Sequence, residues 1–207
     1  MQTFSKGIAT GLAVVLAGML PLLGLFFTIH ASTDVAPPTT LVSDLGSDAV
    51  PAFALDEVND DVLWLARCIY SETKRADEQE LVAWVIRNRV ETGYRGETEY
   101  EDVVLDPYQF SAFNPGDPKR RLYTSLTPSS DSPAFIRALE VAHNVYYAPA
   151  QARPFAQSTR HFYSERSMVG RTSPNWSEGQ TPVRPVGFRI DPRRFRFFSG
   201  VASVMAL

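Results

Sequence analysis

An unbroken run of 22 residues without a charge, IATGLAVVLAGMLPLLGLFFTI from Ile8 to Ile29, restricts this chain before any other feature does. A helix of about 20 apolar residues spans the hydrocarbon core of a bilayer, whereas the apolar part of a cleaved secretory signal is about 7–15 residues long. Nothing amphipathic relieves the run, which sets it apart from a helix buried in a globular core. Lys6 precedes it and Asp34 follows it, so the positive-inside tendency places everything downstream outside the cytoplasm. The expectation is a signal anchor over residues 1–30. Were it cleaved instead, the cut would fall near Ile29-His30-Ala31.

What remains must fold without a covalent brace. Cys68 is the one cysteine, so an exported domain made from this chain has no internal disulfide and is held by packing. Residues 31–55, rich in Pro, Ser, Thr and Asp, show no sustained period and read as an acidic tether. The domain proper is then 56–207, a common size for a single core. The formal net charge of −3 names no partner, but its distribution is uneven. Residues 31–60 hold six acids and no Lys or Arg, while 151–207 hold nine Arg, no Lys and three acids. That Arg-rich end suits an anionic polymer, and it equally suits a solvated face with internal ion pairs. Nucleic acid is disfavoured as a partner by the export segment and by the lack of a Lys-rich stripe.

Helices come first in the domain. Val58, Val62, Leu65, Ala66 and Ile69 recur at helical spacing. A second helix is expected from DEQE onward, with Asp77 as cap, Glu80 closing a capping box, and Leu81, Val82, Val85 and Ile86 facing inward. A short apolar turn, Val103 to Leu105, precedes an irregular DPYQFSAFNPGDP loop. Ser132 and Pro133 then open a third helix carrying Phe135, Ile136, Leu139, Ala142 and Val145. After Pro149 the texture changes to TRHFYS, PVGFRI and RFRFF, which read as strands. Helices followed by a small sheet give an α+β class.

One residue breaks the pattern. In ARCIYSETKR (66–75), Glu72 lies three residues after Ile69 and seven after Leu65, on the buried stripe of the first helix at its last turn. An unpaired carboxylate there is penalised by several kcal/mol unless it protonates or finds a partner. Burial raises a carboxyl pKa, which turns a glutamate into a proton donor near neutral pH. The alternative is an ion pair with a nearby Arg, or a frayed helix end. Asn88 repeats the anomaly on the inner face of the second helix, where a buried amide must brace something, and Arg89 beside it reads as a similar support.

The segments LARCIYSETKRADEQELVAWVIRNRVETGYRG and YEDVVLDPYQFSAF resemble the cell-wall hydrolase family typified by the spore-cortex-lytic enzymes of bacteria. That family has an ARxIYxE helix, a VAxVIxNR helix and a VxxxPxQFS loop. All three stand here in order, at Ala66–Glu72, Val82–Arg89 and Val103–Ser111, and HFYS, PNW and PVGFRIDPRRFRFF fit its later elements. The likeness covers roughly 62–198. It implies a lysozyme-like helical domain with a small sheet near the C-terminus, and cleavage of peptidoglycan between N-acetylmuramic acid and N-acetylglucosamine. It also implies that Glu72 is the catalytic acid. Two departures stand out. Thr73, Lys74 and Arg75 replace a small or glycine-rich stretch after the acid, where Lys74 or Arg75 would lower the Glu72 pKa if they faced it; and the family's final His is absent.

A lytic transglycosylase manages with one glutamate, whereas hydrolysis by the usual scheme takes two carboxylates, about 5 Å or about 6.5–9.5 Å apart. Asp102, Asp106 and Glu165 are candidates for a second, and no motif singles one out. The single-acid reaction is therefore the expectation, with no cofactor, and with His30, His143 and His161 too scattered for a metal. Gln109 and Ser111 are candidates to hydrogen-bond sugar groups, and Tyr163 and Trp176 to stack on sugar rings; Phe110 reads as core. Two rivals stay in play: a peptidase or amidase using Cys68 with His161 as base, although Cys68 sits inside a helix rather than at its N-terminus, and a wall-binding module with no chemistry.

Overall fold

The computed structural model of the protein describes residues 53–168, 170 and 173–202. The apolar run at 8–29 and the tether up to residue 52 lie outside the described residues, among which no helix is long and apolar enough to cross a membrane. Everything described belongs to the second of the chain's two compact units, 36–207.

Three longer helices make the body: α1 (Asp60–Glu72), α2 (Ala76–Glu91) and, after the short α3 (Tyr100–Leu105) and α4 (Arg120–Thr124), α5 (Pro133–Tyr147). Asn59 caps α1 by accepting the Val62 N–H at 2.9 Å, and two acids, Asp60 and Asp61, follow in its first turn. Ser132 caps α5 as its position foretells, with Pro133 just inside. The apolar stripes of α1, α2 and α5 meet each other and α3, and bury Leu65, Ile69, Leu81, Ile86, Phe135 and Leu139 completely. Cys68 is buried in the same core and Phe110 plugs it.

The start of α2 departs from expectation. The helix begins at Ala76 after Arg75 and has no side-chain cap, so Asp77 and Glu80 form no capping box. The link to α1 is too tight for one: Thr73 donates to Glu78 at 2.6 Å and accepts the Gln79 amide on its carbonyl at 2.8 Å. Asp77 is left as an acid in the first turn, where the helix dipole favours it. The apolar turn at 103–105 is likewise the end of a full α-helix, α3.

Two antiparallel strands, β1 (Thr159–Tyr163) and β2 (Arg196–Ser199), form the sheet, with His161 opposite Phe198 and Tyr163 opposite Arg196. PVGFRI (185–190) is not a strand: its backbone is irregular, with Pro185 lacking a donor and Gly187 at φ 82°, and only Val183 before it bridges to Phe197. The sheet packs on α2, and two polar side chains fix it there. Asn88 donates to the carbonyls of Thr159 at 2.8 Å and Ala156 at 3.3 Å, and Arg89 donates through Nε to the Arg160 carbonyl at 2.7 Å. Asn88→Ala should therefore leave buried carbonyls unpaired and lower stability by about 1–3 kcal/mol, read from urea unfolding.

Candidate active site

A cleft of about 640 Å³ opens between the end of α1, the loops after α2 and α3, and the sheet. Glu72 ends α1 at its wall, because the last turn of the apolar stripe emerges there rather than ending in the core. Gln109, Ser111, Tyr163 and Trp176 line the same cleft, so the structure brings all five sequence candidates together. Trp176 packs its ring against Tyr163, Phe198 and His161, at centroid distances of 5.9, 5.3 and 5.0 Å. Both aromatic candidates are thus braced from behind and part-exposed in front.

The Glu72 carboxyl makes no hydrogen bond or ion pair with any of the described residues. Its surface is only part-covered, yet protein walls it in closely enough that desolvation pushes its pKa from 4.5 to about 7. The opposing influence is the charge of Arg89. Lys74 and Arg75 do not supply one. Lys74 bends back to the Tyr70 carbonyl with its ammonium over the Tyr70 ring, and Arg75 pairs with Glu78 at 3.2 Å.

Six residues away the outcome is reversed. Glu78 is 1% exposed, and burial alone would raise its pKa, but hydrogen bonds from Arg194 and Thr73 and the charges of Arg194 and Arg75 hold it below the usual range. One fold thus moves two glutamates in opposite directions from the ordinary carboxylate range, Glu72 upward and the buried Glu78 downward.

Arg89 lines the cleft as well as bracing the sheet. The residue is 4% exposed; its guanidinium lies 5.4 Å from the Tyr94 ring centroid and 5.2 Å from that of Phe110, and its pKa is pushed down to about 10 by burial. The family-like sequence motif marks its position but not its place beneath the acid. His161 also lines the cleft; Tyr94 and its Nε2 are 2.9 Å apart, and burial with the nearby charges of Arg89 and Arg160 lowers its pKa to about 4.

Neither rival nucleophile nor second acid is on this wall. Cys68 is wholly buried, its thiol raised far up by desolvation, and is not among the cleft-lining residues. Asp106 is held by Arg95 at 2.6 Å, Glu165 pairs with Arg196, and Asp102 faces solvent on α3. Among the described residues that line the cleft, Glu72 is the only carboxylate. No group of three or more His, Cys, Asp or Glu among the described residues is placed to hold a metal ion.

The sequence pattern of the Cell Wall Hydrolase family matches residues 73–187, more than half of the chain. The chain belongs to that family. Membership identifies a cell wall hydrolase whose polymer is peptidoglycan. The matched segment starts one residue after Glu72 and takes in α2, the QFS loop, β1 and Trp176, so it frames the cleft. No curated protein and no solved structure matches the chain.

Proposed function

We propose that this cell wall hydrolase cuts glycan strands between N-acetylmuramic acid and N-acetylglucosamine, with Glu72 as the single acid/base of a lytic transglycosylase reaction on a lysozyme-like body. The observation that carries the reading is that, among the described residues lining the cleft, there is one carboxyl, unpaired and pushed to about 7, and no other acid. The protonated Glu72 gives its proton to the glycosidic oxygen as the C1–O bond breaks. The carboxylate left behind takes the proton of the muramic C6 hydroxyl, whose oxygen closes on C1 to give a 1,6-anhydro ring. No water is consumed and Glu72 returns to its acid form. Gln109 and Ser111 hold acetamido and hydroxyl groups, while Tyr163 and Trp176 offer ring faces. Residues 8–29 hold the enzyme at the membrane with its cleft on the wall side.

The test is release of soluble fragments from purified sacculi by the whole chain across pH. Since the acid must enter the reaction protonated, kcat/KM should fall as pH rises through about 7. A chain that binds sacculi at every pH and releases nothing would be a wall-binding module instead.

A further inference from the structure

Tyr108 stands apart from every other aromatic residue of the domain. It is 85% exposed, more than any other large hydrophobic residue described, and it sits on the lip of the cleft. No ring contact or side-chain hydrogen bond among the described residues holds its side chain. Its backbone is left-handed, with φ 67°, a conformation that a bulky residue adopts only at an energetic penalty. Among the described residues the one other non-glycine with positive φ is Arg95, at 61°, and it lines the same cleft.

The turn does not require a tyrosine. The Tyr108 N–H donates to Asn114 Oδ1 at 2.8 Å, and the Gln109 N–H to the Asp106 carbonyl at 3.2 Å; a glycine would make both bonds without strain. Asp106, at the start of this turn, is held by Arg95, so the two strained residues belong to two loops locked by one ion pair. The rim is therefore kept in shape by its backbone and its salt bridge, and the phenol ring contributes nothing visible to that. Exposure alone would not single out a lone tyrosine; exposure together with a strained backbone and a place on the lip of the cleft does, because a strand lying in the cleft would cover that ring.

On the reading that the cleft takes glycan strands, we infer that Tyr108 is a further substrate-binding residue, a platform at the cleft mouth on which a pyranose ring of the strand stacks. A sugar presents an apolar face of C–H groups to such a ring, and a platform outside the reacting centre adds to strand affinity without entering the chemistry. Asn114 holds the platform at its angle by fixing the backbone beneath it.

The test measures binding separately from cleavage. In the whole chain carrying Glu72→Gln, affinity for soluble oligomers of alternating N-acetylglucosamine and N-acetylmuramic acid is compared with and without Tyr108→Gly, Tyr108→Ala and Tyr108→Trp. Glycine and alanine should weaken binding about tenfold. Glycine should leave the melting temperature unchanged or raise it, since it relieves the positive φ. Tryptophan should restore affinity, and its emission should change when the oligomer is added. Unchanged affinity in Tyr108→Gly and Tyr108→Ala, or a melting temperature that falls with affinity in Tyr108→Gly, would overturn the inference. Failure of the Glu72 assignment would show elsewhere, as cleavage surviving in the Glu72→Gln parent.

Discussion

Glu72→Gln is expected to abolish wall cleavage and yet to melt higher than the parent above pH 7. Removing a positioned general acid takes away a factor of about 100 to 10,000 in rate, and no other carboxyl among the described cleft-lining residues is there to take over. The stability change follows from linkage. The folded carboxyl titrates near 7 and the unfolded one near 4.5, so the folded state holds the extra proton between those values. Stability therefore falls as pH rises across that window and stays low above it. Glutamine has no charge to desolvate and escapes the loss. The full shift would correspond to about 3 kcal/mol; because the carboxyl is partly solvated through the cleft, about 1–2 kcal/mol is the expected gain at pH 8. Below pH 4.5 the two proteins should have similar stability. Urea unfolding at pH 4 and pH 8 checks this, and a Glu72→Gln variant less stable than the parent at pH 8 would mean that the carboxylate is a structural anion.

The opposite is expected of Glu78. Its carboxylate accepts from Thr73 and Arg194 and faces Arg75, so it ties the turn after Glu72 and the start of α2 to the segment leading into β2. Glu78→Gln leaves Arg194 without its anion and keeps one carbonyl oxygen where two carboxylate oxygens accepted from Thr73 and Arg194. Breaking a fully buried pair in this way removes about 3–5 kcal/mol. With the Arg194 side chain 29% exposed, about 2–4 kcal/mol is expected, a fall of roughly 5–15 °C in melting temperature for a domain of this size. Wall cleavage at low temperature should fall as well, because the turn that carries Glu72 loosens. Since the folded Glu78 pKa lies below its ordinary value, the stability it supplies is present above pH 4.5 and is lost as pH falls through the lower folded value. The two glutamates should thus give opposite pH signatures.

Local signals in the sequence were legible wherever neighbours along the chain decide them. The periodic stripe of α1 from Val62 onward (Val58 falls before the Asn59 cap), the Ser132 cap and the change to aromatic segments after Pro149 all correspond to structure. So does the misfit of Asn88, which a buried amide can only resolve by bracing a carbonyl, and Glu72 could be picked out for the same reason. The failures are cases where distant groups win. Asp77 looked like a helix cap because nothing local shows that Thr73 and Arg194, the latter 116 residues away from Glu78, have already claimed the start of α2. PVGFRI has strand-like residues, but Pro185 and Gly187 break the ladder while Val183 takes the bridge. Arg89 read as a brace only, since its place beside the acid arises when α2 crosses the end of α1. Tyr108 carried no signal at all, because a positive φ at a tyrosine follows from the closure of the surrounding loop rather than from its own identity.

The most direct measurement is the mass of the strand ends released when the whole chain digests purified peptidoglycan beside its Glu72→Gln variant. A single acid/base with no second carboxylate predicts 1,6-anhydro-muramyl ends, lighter than reducing ends by one water, from the parent and none from the variant. Reducing muramyl ends from the parent would contradict the single-acid reaction, and fragments that persist undiminished in the variant would contradict the assignment of Glu72 itself.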